Sequence, residues 1–302
     1  MGQARQRGSR EERVAQAIQR QKNAEEANVG TEALFLLDRN VISVIKHSLA
    51  NKEQKGDKEE RMLAHLKEID APQNAISPIM SLMEGEKGRP DSPTEKDEQV
   101  EKETDVVSRF FKRARTDSSH LINNKEIFIK IFSGYREGSS DARAAFREKA
   151  IEVVFNKVPS NKRRSAENLL FRTAEFCGLN KNDVIVVMFI ACLYENDDAR
   201  DILKLKDLHK IHNVLSDIYL IPRIGLVKWV AESQNMRIKI KLLTLDEGLE
   251  KVLSNVKVSW RLDRGQSEPD LFVEYLPELF TALPENDARA LLGRLADITV
   301  KD

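Results

Sequence analysis

Cysteine is scarce: Cys177 and Cys192 are the only two, and neither has a CxxC partner. No disulfide framework is indicated, and free thiols within apolar helical surroundings point to a reducing compartment. Histidine is sparse as well, with five in the chain. His209 and His212 lie three apart on a helical pattern, but no nearby Cys or third His completes a zinc set. Aromatic residues make up 6% of the chain, and Phe110 and Phe111 read as core residues rather than as a base-stacking platform. The formal net charge is zero, which argues against gripping nucleic acid by bulk charge. Any such contact is then local, through Arg109–Arg115 or Asn161–Arg164, each of which also reads as a solvated helix face. No G-x-x-x-x-G-K-[ST] loop and no G-x-S-x-G elbow occur, so P-loop and α/β-hydrolase chemistry lack their defining residues. The longest apolar run, Val184–Leu193, is too short to span a bilayer. The polar first thirty residues carry no apolar signal core. A cytoplasmic protein without membrane contact is expected.

What is present is a strand-acid-helix pattern that recurs. Ala33–Ile45 reads ALFLLDRNVISVI: an apolar strand, Asp38, then a helix. Some two hundred residues on, the alternating strand Arg237–Leu243 runs into Thr244-Leu245-Asp246 and another helix start, followed by a further strand over Val256–Trp260. In a parallel sheet such strand ends open onto one crevice, where α/β proteins place binding groups. Between them, Ala75–Glu86 holds a short extended piece, Pro78 at a helix start, and Glu84 inside that helix. Leu208–Tyr219 has the spacing of an amphipathic helix with Leu208, Ile211, Leu215 and Ile218 on its stripe. Asn213 and Asp217, four apart, share a face beside that stripe.

These residues resemble a known family. Asp38-Arg39-Asn40-Val41-Ile42-Ser43 is similar to the D-x-N-h-h-S opening of PIN-domain nucleases, although Arg39 stands where a less charged residue is expected. Ser77–Glu84 (SPIMSLME) resembles the segment carrying their second acid, and Thr244-Leu245-Asp246 the T-x-D that supplies a further one. The family's third acid falls on a helix leading to that strand, which selects Asp217. Asp183 is the alternative, and after Gly178 and Asn180–Asn182 it reads more economically as a helix cap. The resemblance covers Thr31–Glu86 and Lys206–Trp260, with an interval between the second and third acids longer than in compact members.

The resemblance implies an α/β fold: a parallel-sheet, PIN-like three-layer core with a large helical insertion and a helical C-terminal tail. It also implies a nuclease dependent on Mg²⁺ or Mn²⁺, with Asp38, Glu84, Asp217 and Asp246 holding the metal. Asn40, Asn213 and Thr244 would orient ligands or a phosphate. Converging carboxylates repel and need a cation, and these hard ions take oxygen ligands. The implied substrate is RNA more than DNA. The implied setting is a bacterial toxin or host-defence effector, restrained by a regulatory protein. A catalytically degenerate interaction subunit is the second reading, and homo-oligomerisation stays open.

The expected organisation has five parts. Residues 1–30 form a polar N-terminal arm. Residues 31–86 and 205–265 form the two parts of the core. Residues 87–204 form a linker and helical insertion, with Gly85–Thr104 as a mobile lid or linker. Residues 266–302 form C-terminal helices, with Leu271–Ile298 helical and Pro284 at a helix start.

Overall fold

The computed structural model describes residues 32–84, 91–134, 140–207, 211–236, 238–261 and 270–296. The expected arm over residues 1–30 lies outside them, as does His209. Strand β1 (Ala33–Leu37) is the centre of the molecule. It pairs in parallel with β2 (Asn74–Ser77) on one side and β4 (Lys239–Leu243) on the other. A two-residue β3 (Arg115–Thr116) extends the sheet beyond β2, giving the order β3-β2-β1-β4, all parallel.

Side-chain alternation along β1 builds a layer on each face of that sheet. Ala33, Phe35 and Leu37 enter one cluster with Val41, Ile42, Ile45, Leu66 and Leu243. Leu34 and Leu36 enter the other, with Met80 and the helices that follow. A strand buried on both faces has to be apolar throughout, as ALFLL is. Helices α1 (Arg39–Leu49) and α2 (Asp57–Glu68) cover the first face. The second face carries α3 (Ile79–Glu84) and a group of longer helices built around a wholly buried one.

Gly85–Thr104 is not a linker over its described part. Asp91–Thr104 leads into and forms most of α4 (Pro93–Phe110), an 18-residue helix. Ser92 and Glu95 make a reciprocal capping box, and Pro93 occupies the first turn. Lys96, Gln99, Glu103 and Thr104 are buried on its inner side, so polarity here marks an internal network rather than a solvated loop. The expected insertion also feeds the sheet, because β3 follows α4.

Five helices follow β3: α5 (Ser118–Asn123), α6 (Lys125–Gly134), α7 (Ser140–Val154), α8 (Ser160–Phe176) and α9 (Val184–Leu193). Every residue of α9 is buried, which its unbroken apolar run requires. Gly178, at φ 75°, closes α8 in the left-handed region that glycine enters freely. Cys177 is half-buried and Cys192 buried, both as free thiols.

After α10 (Asp197–Leu203), α11 runs from Ile211 to Ser233, well past the expected end at Tyr219. Pro222 lies inside it, a residue that normally ends a helix by removing a hydrogen bond. Burial of Leu220, Ile221 and Ile224 around the proline offsets that cost.

The tail differs from its expected all-helical form. After β4 and α12 (Glu247–Ser254), β5 (Val256–Arg261) pairs antiparallel with β6 (Asp270–Tyr275) in a separate sheet. Along Phe272–Tyr275 exposure alternates, a period of two that suits a strand facing a partner. Only the last part is helical, in α13 (Glu285–Ala296), directly after Pro284. Among the described residues no helix is long and apolar enough to cross a membrane.

Candidate functional site

The C-terminal ends of the parallel strands carry the polar groups. Asp38 follows β1 and caps α1, its Oδ1 accepting from the Arg39 N–H at 2.7 Å. Only 3% of it is exposed, so its second oxygen also needs a donor. Thr244, just beyond β4, supplies one: its hydroxyl donates to Asp38 Oδ2 at 2.8 Å. The same hydroxyl accepts from the Asp246 N–H at 3.1 Å, which directs its proton towards Asp38. Asp246 in turn caps α12, accepting from the Leu249 N–H at 2.9 Å. A side chain at Gly248 would bring its Cβ to 3.3 Å from Asp246 Oδ1, so this turn keeps room beside the carboxylate.

Glu84 arrives from the other side, at the end of α3. Six residues cannot hold a helix unaided, and neighbours anchor both ends. Ser77 Oγ accepts from the Ile79 N–H at 3.2 Å. Gln99 donates to the Ser81 carbonyl at 3.2 Å, and Lys96 to the Leu82 carbonyl. Burial raises the Lys96 desolvation cost, which the Asp91 carboxylate 3.3 Å away partly offsets.

The expected acids are linked electrostatically, Glu84 to Asp38 and Asp217, and Asp217 to Asp38 and Asp246. Burial, together with the Asp38 charge and a hydrogen bond to Asp38, pushes Glu84 up to about 8. Asp217 adds to that rise, and Arg39 opposes it. Asp217, on α11, is raised to about 6 by burial, against the pull of Lys204 and with further push from Asp246 and Asp38. Lys204 Nζ donates to Asp217 Oδ2 at 2.5 Å. Glu84 Oε2 is buried and has no hydrogen-bond partner among the described residues. Carboxylates crowded in this way hold protons that a bound cation would displace into solvent.

The remaining expectations divide. Thr244 belongs to the cluster, whereas Asn40 and Asn213 are exposed on α1 and α11. Asp183 is occupied elsewhere: it caps α9 through the Ile185 N–H at 3.1 Å and receives a bidentate guanidinium from Arg143 at 3.0–3.1 Å. That is the cap reading. Among the described residues no three His, Cys, Asp or Glu side chains form a group arranged to grip a metal ion. The acids converge with two cations of the chain itself, Arg39 and Lys204, interleaved among them.

Sequence reasoning missed Asp117. It follows β3, accepts from the Ser77 hydroxyl, and is pushed up to about 7 by burial. Its signal was the same one: Arg115-Thr116-Asp117 is a short extended piece, an acid, then a helix. Lys204 was missed too. It sits at the left-handed end of α10, φ 47°, and nothing in sequence links it to Asp217. The basic cluster Asn161–Arg164 lies on a helix whose arginines are paired. Arg163 pairs with Glu195 and Arg164 with Glu167, and Phe111 is core. Set against known proteins, the chain matches no family model, no curated protein and no solved structure.

Proposed function

We propose that this protein is a PIN-like, metal-dependent phosphodiesterase that cuts nucleic acid, RNA in preference to DNA. The observation that carries the reading is the raised titration of buried Glu84 and Asp217 beside the charges of Asp38 and Asp246, the two acids that follow the C-terminal ends of parallel strands β1 and β4. The donor set is all oxygen, suited to Mg²⁺ or Mn²⁺, and the buried, unpartnered Glu84 Oε2 is a ready lone pair. Asp38, Glu84, Asp217 and Asp246 would hold the ion. Bound there, it supplies an acidified water and charge stabilisation for a phosphodiester leaving oxygen.

The chain's own residues do the rest. Thr244 keeps Asp38 oriented through a hydroxyl whose proton direction is set by the Asp246 N–H. To hold an ion, Glu84 would lose its proton to solvent and Asp217 would exchange its Lys204 contact for the metal. By resemblance, the proposal extends to a toxin or host-defence role restrained by a protein partner.

One observation favours a second reading, a degenerate site in an interaction subunit. Lys204 and Arg39 already neutralise part of the acidic cluster from within. The deciding experiment is cleavage of mixed RNA and DNA substrates with Mn²⁺ or Mg²⁺, beside Asp38→Asn and an EDTA control. Metal-dependent cutting by the parent alone supports the nuclease. Equal cutting by Asp38→Asn overturns the assignment, and silence in both favours the interaction subunit.

A further inference from the structure

A cavity of about 280 Å³ opens between α2 and the end of β4, its lining running from Leu242 through Leu245 to Glu247. Its floor is apolar, from Met62, Leu243 and Leu245, and its rim is charged. Lys58, Arg61 and His65 line it from α2, Glu247 and Glu250 from α12, so the two permanent cations face two carboxylates and cancel. Lys58 and Glu247 already pair across it at 3.1 Å, both more than half exposed. A cancelled rim is a poor phosphate site, because an anion would meet as much repulsion as attraction. It suits a neutral, flat ligand that carries both donors and acceptors on its edge and hides its faces on an apolar floor.

Thr244 belongs to both places. It lines this cavity and donates to Asp38, so the cavity and the acidic cluster share a wall. We infer that the cavity is a subsite for an unpaired nucleobase of the strand whose phosphate meets the acids. This rests on the nuclease reading and names what that reading leaves open, the recognition of single-stranded substrate. The planar Arg61 guanidinium stacks on the ring. Glu250 accepts from exocyclic amino or ring N–H groups, and the floor takes the other face. Occupation by a base also explains why the local net charge need not be positive for nucleic acid to bind.

The test uses the full chain and fluorescein-labelled single-stranded RNA and DNA of about eight nucleotides, with abasic counterparts. Binding is measured in EDTA, and cleavage separately with Mn²⁺. Both Arg61 and Glu250 are exposed, so Arg61→Ala and Glu250→Ala should keep the parent's thermal melt. The expected result is a loss of roughly tenfold in affinity for Arg61→Ala, partial recovery in Arg61→Lys, and a similar loss in the parent when one position is abasic. Insensitivity of the variants to the abasic change completes the case. Parent-like affinity and KM in both alanine variants overturns the subsite while leaving a cutting enzyme intact. Base-dependent binding without any cutting keeps the subsite and removes the nuclease. Absence of both binding and cutting overturns the two together.

Discussion

Glu84 pays for its position with a proton. Unfolded, it would titrate near 4.3, but next to Asp38 and Asp217 it holds its proton to about 8. The folded state therefore binds a proton that the unfolded state has released, and stability from this group falls as pH rises between those values. Glu84→Gln removes the titration. It should raise the melting temperature at pH 8, by a stability on the order of a few kcal/mol, and make little difference at pH 4. Melts of parent and variant across that range check it, and parallel pH profiles would count against the buried, acid-coupled placement. The same logic makes Mg²⁺ stabilise the parent more at pH 8 than at pH 6, because a bound cation removes the penalty. Lys204 plays the opposite part. Without its ammonium, Asp217 faces Asp246 and Asp38 unopposed. Lys204→Met should thus melt lower than the parent in EDTA at pH 7.5 and regain most of the difference with millimolar Mg²⁺, on the nuclease reading. A deficit untouched by Mg²⁺ would favour the degenerate one.

Elements differ in how openly the sequence announces them. The strand-acid-helix units of β1 and β4 are legible because one short stretch contains both an apolar strand and its cap, Asp38 or Asp246. Helix α4 was hidden by composition: charged residues usually mean solvent, yet Lys96 and Gln99 turn inwards to hold the carbonyls of α3. Its start was nonetheless written in Ser92-Pro93-x-Glu95. Ser92→Ala breaks the capping box and should cost about 1 kcal/mol in urea unfolding with an unchanged m-value. A neutral result would mean that α4 is held by its inner face alone. The extent of α11 beyond Tyr219 and the strand character of β6 are hidden for a common reason. Whether Pro222 ends a helix, and whether DLFVEY is strand or helix, is decided by what packs on them. For β6 the decision lies with β5, whose Lys257 stands directly opposite Glu274.

Across the whole molecule, the sheet order β3-β2-β1-β4 brings together residues as far apart as Asp38 and Thr244, 206 positions from one another. The acids were legible because each occupies a local pattern. Of their internal counter-ions, Arg39 stood out within the opening motif, whereas Lys204 did not, since it meets Asp217 only when α10 and α11 assemble. Asp117 fell between these cases, carrying the right pattern on a strand of two residues. The choice between Asp217 and Asp183 turns on the same assembly, which gives Asp183 to Arg143 and leaves Asp217 among the acids. Mn²⁺ titration at pH 7.5 of the parent, Asp217→Asn and Asp183→Asn tests this most directly. The prediction is a site in the parent, retained in Asp183→Asn and lost in Asp217→Asn with all three folded. A parent that binds no Mn²⁺, or equal losses in the two variants, would contradict a metal site built from Asp38, Glu84, Asp217 and Asp246.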